Sequence, residues 1–140
     1  MDALQKIYNE LRSLRSRVHK LICLVNSISG YGTNPTVTVD TNSGTGAVAT
    51  LSSGSTSTKG KISLTTGTAP VASGLMFTIN FNTSYPNSPI PTLTPANDNA
   101  GTWQTDYGYY VVITPTVLEV YSTLAPDPET TYEFYYIITP

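Results

Sequence analysis

The chain has 140 residues, of which 11% are charged, under half of the roughly 25% usual in a soluble domain. One His, one Cys and seven Lys plus Arg leave few of the acids, bases and nucleophiles on which catalysis draws, while a net charge of -2 and 10% aromatics do not fit a disordered chain. Lys6, Arg12, Arg15, Arg17 and Lys20 hold most of the positive charge, and beyond Lys61 stand only Asp98, Asp106, Glu119, Asp127, Glu129 and Glu133. That asymmetry predicts a short basic part and a longer acidic one, the latter without the cationic stripe that nucleic acid requires.

The first element is a helix. Leu4, Ile7, Leu11, Leu14, Val18, Leu21, Val25 and Ile28 alternate spacings of three and four, a heptad pattern with Leu4, Leu11, Val18 and Val25 at a and Ile7, Leu14, Leu21 and Ile28 at d. Asp2 and Gln5 form a capping pair at the start, and Ser29-Gly30 supplies the stop. A single amphipathic helix laid on its own domain would show a wider stripe of period 3.6, so the pattern predicts self-association through residues 1–29. Leu at the first two a positions, Ile at the first and last d positions, and flanking Ile22 and Leu24 favour three parallel helices over two. Glu10 at g and Arg15 at e can pair between neighbours, and His19 and Cys23 lie on the outer face. The lone Cys23 forms no intramolecular disulfide, and the apolar run 21–25 is too short to insert in a membrane.

Residues 30–35, Gly-Tyr-Gly-Thr-Asn-Pro, read as a neck. From there the period is two, with strands expected at 36–40, 46–52, 60–66, 74–82, 90–94, 108–114, 116–123 and 131–139, and no helix among them. Short strands between Gly, Pro, Asn and Ser clusters predict an antiparallel β-sandwich, jelly-roll-like, over 36–140. In 74–82, Leu75, Phe77, Ile79 and Phe81 fall on one face and Met76, Thr78, Asn80 and Asn82 on the other. The last strand is apolar on both faces, as in a central or interfacial strand, and the Ser/Gly/Thr-rich stretch 42–59 reads as a mobile loop or edge excursion as readily as two regular strands.

Lys61-Ile-Ser-Leu-Thr-Thr-Gly-Thr followed by an aromatic-rich strand, Leu93-Thr-Pro-Ala-Asn, and the ending Thr130-Thr-Tyr-Glu-Phe-Tyr-Tyr-Ile-Ile resemble the carboxy-terminal β-sandwich of bacteriophage fibre and receptor-binding proteins. The resemblance spans about residues 58–138. It implies a non-enzymatic, homotrimeric virion-surface protein, on tail or capsid, whose head is carried on a coiled coil and binds a host-surface glycan or protein. An alternative within the same setting is a head fibre or capsid decoration whose basic helix docks on other virion proteins, without an obligatory receptor.

The segment 98–110 departs from the family pattern and concentrates Trp103, Tyr107, Tyr109 and Tyr110 with Asp98, Asn99, Gln104 and Asp106. Aromatic faces stack on sugar C–H groups while carboxylates and amides bond hydroxyls, so Trp103, Tyr107, Tyr109, Asp98 and Asp106 are the receptor-binding candidates. The competing reading has Trp103 plugging the sandwich end or an intersubunit groove and Tyr109 and Tyr110 opening a strand. Asp127, Glu129 and Asp98 are of the type that binds calcium but lack a loop motif and read as turns. Glu119 and Glu133 form a glycosidase dyad only if the fold brings them across a cleft. With no phosphate loop, nucleophile elbow or Cys/His metal spacing, no catalytic residue, cofactor or metal is expected.

Overall fold

A computed structural model describes residues 2–29, with side chains as far as Ile22, and 34–140. Most of the expected neck, 30–33, lies outside the described residues, as do the side chains of Cys23, Val25 and Ile28. Helix α1 spans Ala3–Ser29, about 40 Å long at 1.5 Å per residue. Asp2 caps it, its Oδ1 accepting from Leu4 N at 3.4 Å. The expected reciprocal bond is replaced, because Gln5 Nε2 donates down the helix to Asn9 Oδ1 at 3.4 Å. Every described α1 side chain is exposed. The seam residues Leu4 and Val18 mark the extremes, 73% and 46% exposed, so nothing in the described part of the chain covers the apolar stripe.

The remainder is mainly β, with strands β1 Thr36–Val39, β2 Val48–Leu51, β3 Lys59–Thr65, β4 Leu75–Asn80, β5 Ile90–Pro95, β6 Tyr109–Ile113, β7 Val117–Ser122 and β8 Thr131–Thr139. They form two antiparallel four-stranded sheets, ordered β1-β4-β7-β6 and β2-β3-β8-β5. Inward side chains Phe77, Ile79, Leu118 and Val120 of the first sheet share one core with Ile62, Leu64, Tyr132, Phe134, Tyr136 and Ile138 of the second. The arrangement is sandwich-like, as expected, but its winding is not that of a jelly roll. Two Greek keys would wrap the strands between both sheets, whereas β2–β3 and β6–β7 are hairpins that stay in one sheet. The turn of the second hairpin is closed locally, Thr114 N donating to Val117 O at 3.0 Å.

Three local departures have physical causes. A bulge between Leu75 and Phe77 breaks the β4 register against β7, placing two residues against one. Met76 and Phe77 are therefore both buried while Leu75 leaves the core face, and the strict alternation expected for 74–82 fails there. The stretch 42–59 supplies one regular strand, β2, at the edge of its sheet. It is preceded by a 3-10 turn, Thr41–Ser43, capped by Asp40 and pinned by Ser43 Oγ donating to Met76 O at 2.7 Å. The third departure is a helical segment between β5 and β6. Helix α2, Asp98–Thr102, starts at Asn97, whose side chain accepts from Ala100 N, and runs into a π-helical turn, Trp103–Tyr107. That turn ends at Gly108, with φ +70 and its N–H bonded to Trp103 O at 2.7 Å, a conformation favouring glycine.

Candidate functional site

The helical segment disperses the aromatic residues that the sequence places side by side. Trp103 is fully buried. Its ring meets Tyr132, Phe134 and Tyr109 edge-on at centroid distances of 4.7, 5.6 and 6.3 Å, and its Nε1 donates to buried Ser122 Oγ at 2.9 Å. It closes one end of the core and offers no ring face to a ligand, so the competing structural reading accounts for it. The receptor-binding expectation for Trp103 does not fit this placement. Helix α2 makes the difference, since its turns swing the side chain under the segment rather than leaving it on a loop tip.

Tyr109 is half-buried, edge-on to Phe134 at 5.3 Å, and its hydroxyl donates to Leu93 O at 3.3 Å. Burial pushes its phenol above the usual tyrosine value. Tyr107 sits at the rim, its hydroxyl donating to Asp127 Oδ1 at 2.9 Å, and that bond is the first cause of its raised pKa. Asp98 and Asp106 are exposed, with Asp106 Oδ1 accepting from Thr105 Oγ1 at 2.8 Å. Of the five candidates, Tyr107 and the two carboxylates remain available at this end, joined by Asp127. Tyr110 turns to the outer face of the first sheet, stacked on Tyr121 at 5.0 Å and 7°. A polar rim with one partly exposed ring replaces the expected aromatic platform.

Glu119 and Glu133 are not brought together. Glu119 lies between buried Leu118 and Val120 on β7 and accepts from Tyr121 Oη at 3.1 Å. Glu133 lies between buried Tyr132 and Phe134 on β8. Each faces outward from a different sheet, with the core between them. Among the described residues no three His, Cys, Asp or Glu side chains stand close enough to hold a metal ion, and no helix is long and apolar enough to cross a membrane.

A second surface was not singled out from the sequence. On the outer face of the β2-β3-β8-β5 sheet a cleft of about 410 Å³ is lined by Ser52, Ser53, Lys59, Lys61, Tyr135 and Ile137, with Ser55, Gly60 and Tyr136 at its base. Lys61 Nζ pairs with Glu133 Oε2 at 2.9 Å, a hydrogen bond that raises the lysine pKa. The signal was present in the alternation of Lys59 and Lys61 on one strand and of Glu133, Tyr135 and Ile137 on another. What the sequence lacked was the register that sets Lys61 opposite Tyr135 and Lys59 opposite Ile137. Comparison of the chain with models of protein families, with curated proteins and with solved structures gives no significant match.

Proposed function

We propose that this protein is a virion fibre or spike: a parallel homotrimeric coiled coil carrying β-sandwich heads that bind a host-surface receptor, a glycan in the first instance. The observation that carries the oligomer is the uncovered seam of α1. Leu4, Ile7, Leu11, Leu14, Val18 and Leu21 repeat in heptads and are all exposed in the single chain. Complete burial of side chains of this size stabilises by about 1.5–3 kcal/mol each, and an isolated helix in water is otherwise marginal. Linked heads multiply weak contacts into avidity, which suits a surface of hydroxyl, amide and aromatic groups with little catalytic chemistry.

The second reading, a head fibre or capsid decoration docked through its helix, is favoured by one observation. The exposed side chains of Lys6, Arg12, Arg15, Arg17 and Lys20 make α1 basic, as a helix facing an acidic virion partner requires. Light scattering on the full chain tests the common core of both readings. The expected mass is that of three 15.0 kDa chains, and Leu14→Lys shifts it to one. A single-chain mass for the unsubstituted protein overturns the proposal, and a two-chain mass removes its three-fold head. Arg12→Glu combined with Arg15→Glu and Arg17→Glu separates the two roles: loss of particle incorporation with retained cell adsorption assigns the helix to docking and the β part to attachment.

A further inference from the structure

The β part has two cations, and both line one cleft. After Lys20 the only basic side chains in the chain are Lys59 and Lys61, and each borders the cleft on the β2-β3-β8-β5 sheet. Lys61 stands 5.9 Å from the centroid of the Tyr135 ring and is held by Glu133. Lys59 is exposed and has no ion pair among the described residues. Tyr135 and Ile137 are 53% and 56% exposed, so an aromatic ring, with the Lys61 ammonium over one face, and an aliphatic side chain reach solvent together. Ser55 is committed to the wall of the cleft, its Oγ accepting from Lys61 N at 3.3 Å and donating to Lys61 O at 3.4 Å. Exposed Ser52 and Ser53 supply free hydroxyls at the rim.

This combination fits one ligand chemistry better than its neighbours. A pyranose ring presents an apolar C–H face to an aromatic ring and hydroxyls to polar side chains. Glu133 already pairs with Lys61, so a neutral sugar leaves Lys59 without a counterpart, whereas a ring carboxylate forms charge-assisted hydrogen bonds with both ammonium groups. A nucleic-acid backbone would need more cations than two. We propose that the cleft binds a carboxylated pyranose, a uronic or sialic acid residue of a surface glycan. Tyr135 lies under the ring, Lys59 and Lys61 meet the carboxylate, and Glu133 acts as a positioning residue for Lys61. This rests on the receptor-binding reading and moves its site from the Trp103 segment to the cationic cleft.

The test titrates the full chain at low ionic strength with a galacturonate trimer, with sialyllactose and with maltotriose, following the sugar proton signals. At least one carboxylated sugar binds, maltotriose binds at least about tenfold more weakly, and Lys59→Gln and Tyr135→Ala each lower affinity roughly tenfold. Added salt weakens the contact, and Tyr110→Ala on the other sheet leaves it unchanged. The two carboxylated sugars distinguish the uronic from the sialic form. Because Lys59 is exposed and makes no side-chain bond among the described residues, Lys59→Gln keeps the test valid where Tyr135→Ala fails to fold. Equal binding of maltotriose, or affinity indifferent to Lys59→Gln, overturns the proposal. If none of the three sugars binds while the chain adsorbs to cells, the cleft assignment falls and the receptor reading stands; a trimer that adsorbs to no cell defeats both.

Discussion

Trp103 is fully buried beneath a polar stretch of chain. Its neighbours Thr102, Gln104, Thr105 and Asp106 are polar and exposed, and an indole among them reads as solvent-facing. Yet Tyr132, Phe134 and Tyr109 surround the ring, and Ser122 Oγ satisfies the buried N–H, at 2.9 Å, that would otherwise oppose burial. Ser122 in turn donates to Leu124 O, so the indole is bonded to a residue already fixed by the end of β7. Trp103→Ala is expected to destabilise the fold by about 3–5 kcal/mol, measured by urea unfolding. Trp103→Phe retains most of the apolar contact and loses chiefly the hydrogen bond, at about 1 kcal/mol. This is the chain's single tryptophan, so its fluorescence, expected to be blue-shifted in the folded protein, reports the transition of the unsubstituted chain, and circular dichroism follows the two variants that lack it. A receptor-contact role predicts the reverse pattern, with stability kept and adsorption lost, and that result would contradict the packing described.

At the scale of elements, what was legible was whatever repeats. The heptads mark α1 to its observed ends, and period-two alternation finds all eight strands within two residues. The central position of β8, between β3 and β5, follows from a strand apolar on both faces. Less legible were features resting on one residue or on pairing across the chain: the β4 bulge, the hairpins that exclude a jelly roll, and the Lys61–Tyr135 register. The α2 segment lies between these cases. Asp98 reads in the sequence as a turn residue, whereas Asn97, the residue before it, starts a helix. Its Oδ1 accepts from Ala100 N at 2.9 Å and from Glu133 N at 3.2 Å, while its Nδ2 donates to Thr131 O at 3.0 Å. One side chain thus caps the helix and fastens it to β8. Asn97→Ala is expected to cost about 1–2 kcal/mol, the upper part of the range for a lost cap, whereas Asn97→Asp retains the cap and loses the amide donor. Hydrogen exchange localises the effect: opening confined to α2 and the π-helical turn fits, and exchange unchanged there would refute this account of the segment.

For the whole molecule, alkaline pH is the condition to which the core responds most directly. Burial pushes the phenols of Tyr85, Tyr132 and Tyr136 up to about 12. Their hydroxyls are structural: Tyr85 donates to Ser57 O at 2.6 Å, Tyr136 to Thr56 O at 2.7 Å, and Tyr132 accepts from Asp127 N at 2.9 Å. The first two hold the 52–58 turn that walls the cationic cleft, and the third fastens the turn before β8. In the unfolded chain such phenols ionise near pH 10. Between about pH 10 and about pH 12 the unfolded state therefore binds fewer protons than the native state, and stability falls as pH rises. Below pH 10 both states carry the protons and this contribution to stability is complete. The slope is at most about 1.4 kcal/mol per pH unit for each tyrosine, so three of them remove at most about 8 kcal/mol across the window, enough to unfold a domain in the lower part of the ordinary range of about 5–15 kcal/mol. Tyrosinate absorbance and tryptophan fluorescence recorded together across this range provide the check. Ionisation of the buried phenols is expected to coincide with unfolding. Tyr85→Phe and Tyr136→Phe are each expected to flatten the pH dependence while lowering stability at neutral pH through the lost hydrogen bond, by about 1 kcal/mol. Titration of all the tyrosines near pH 10 with the fold intact would show that these phenols are not held by the core.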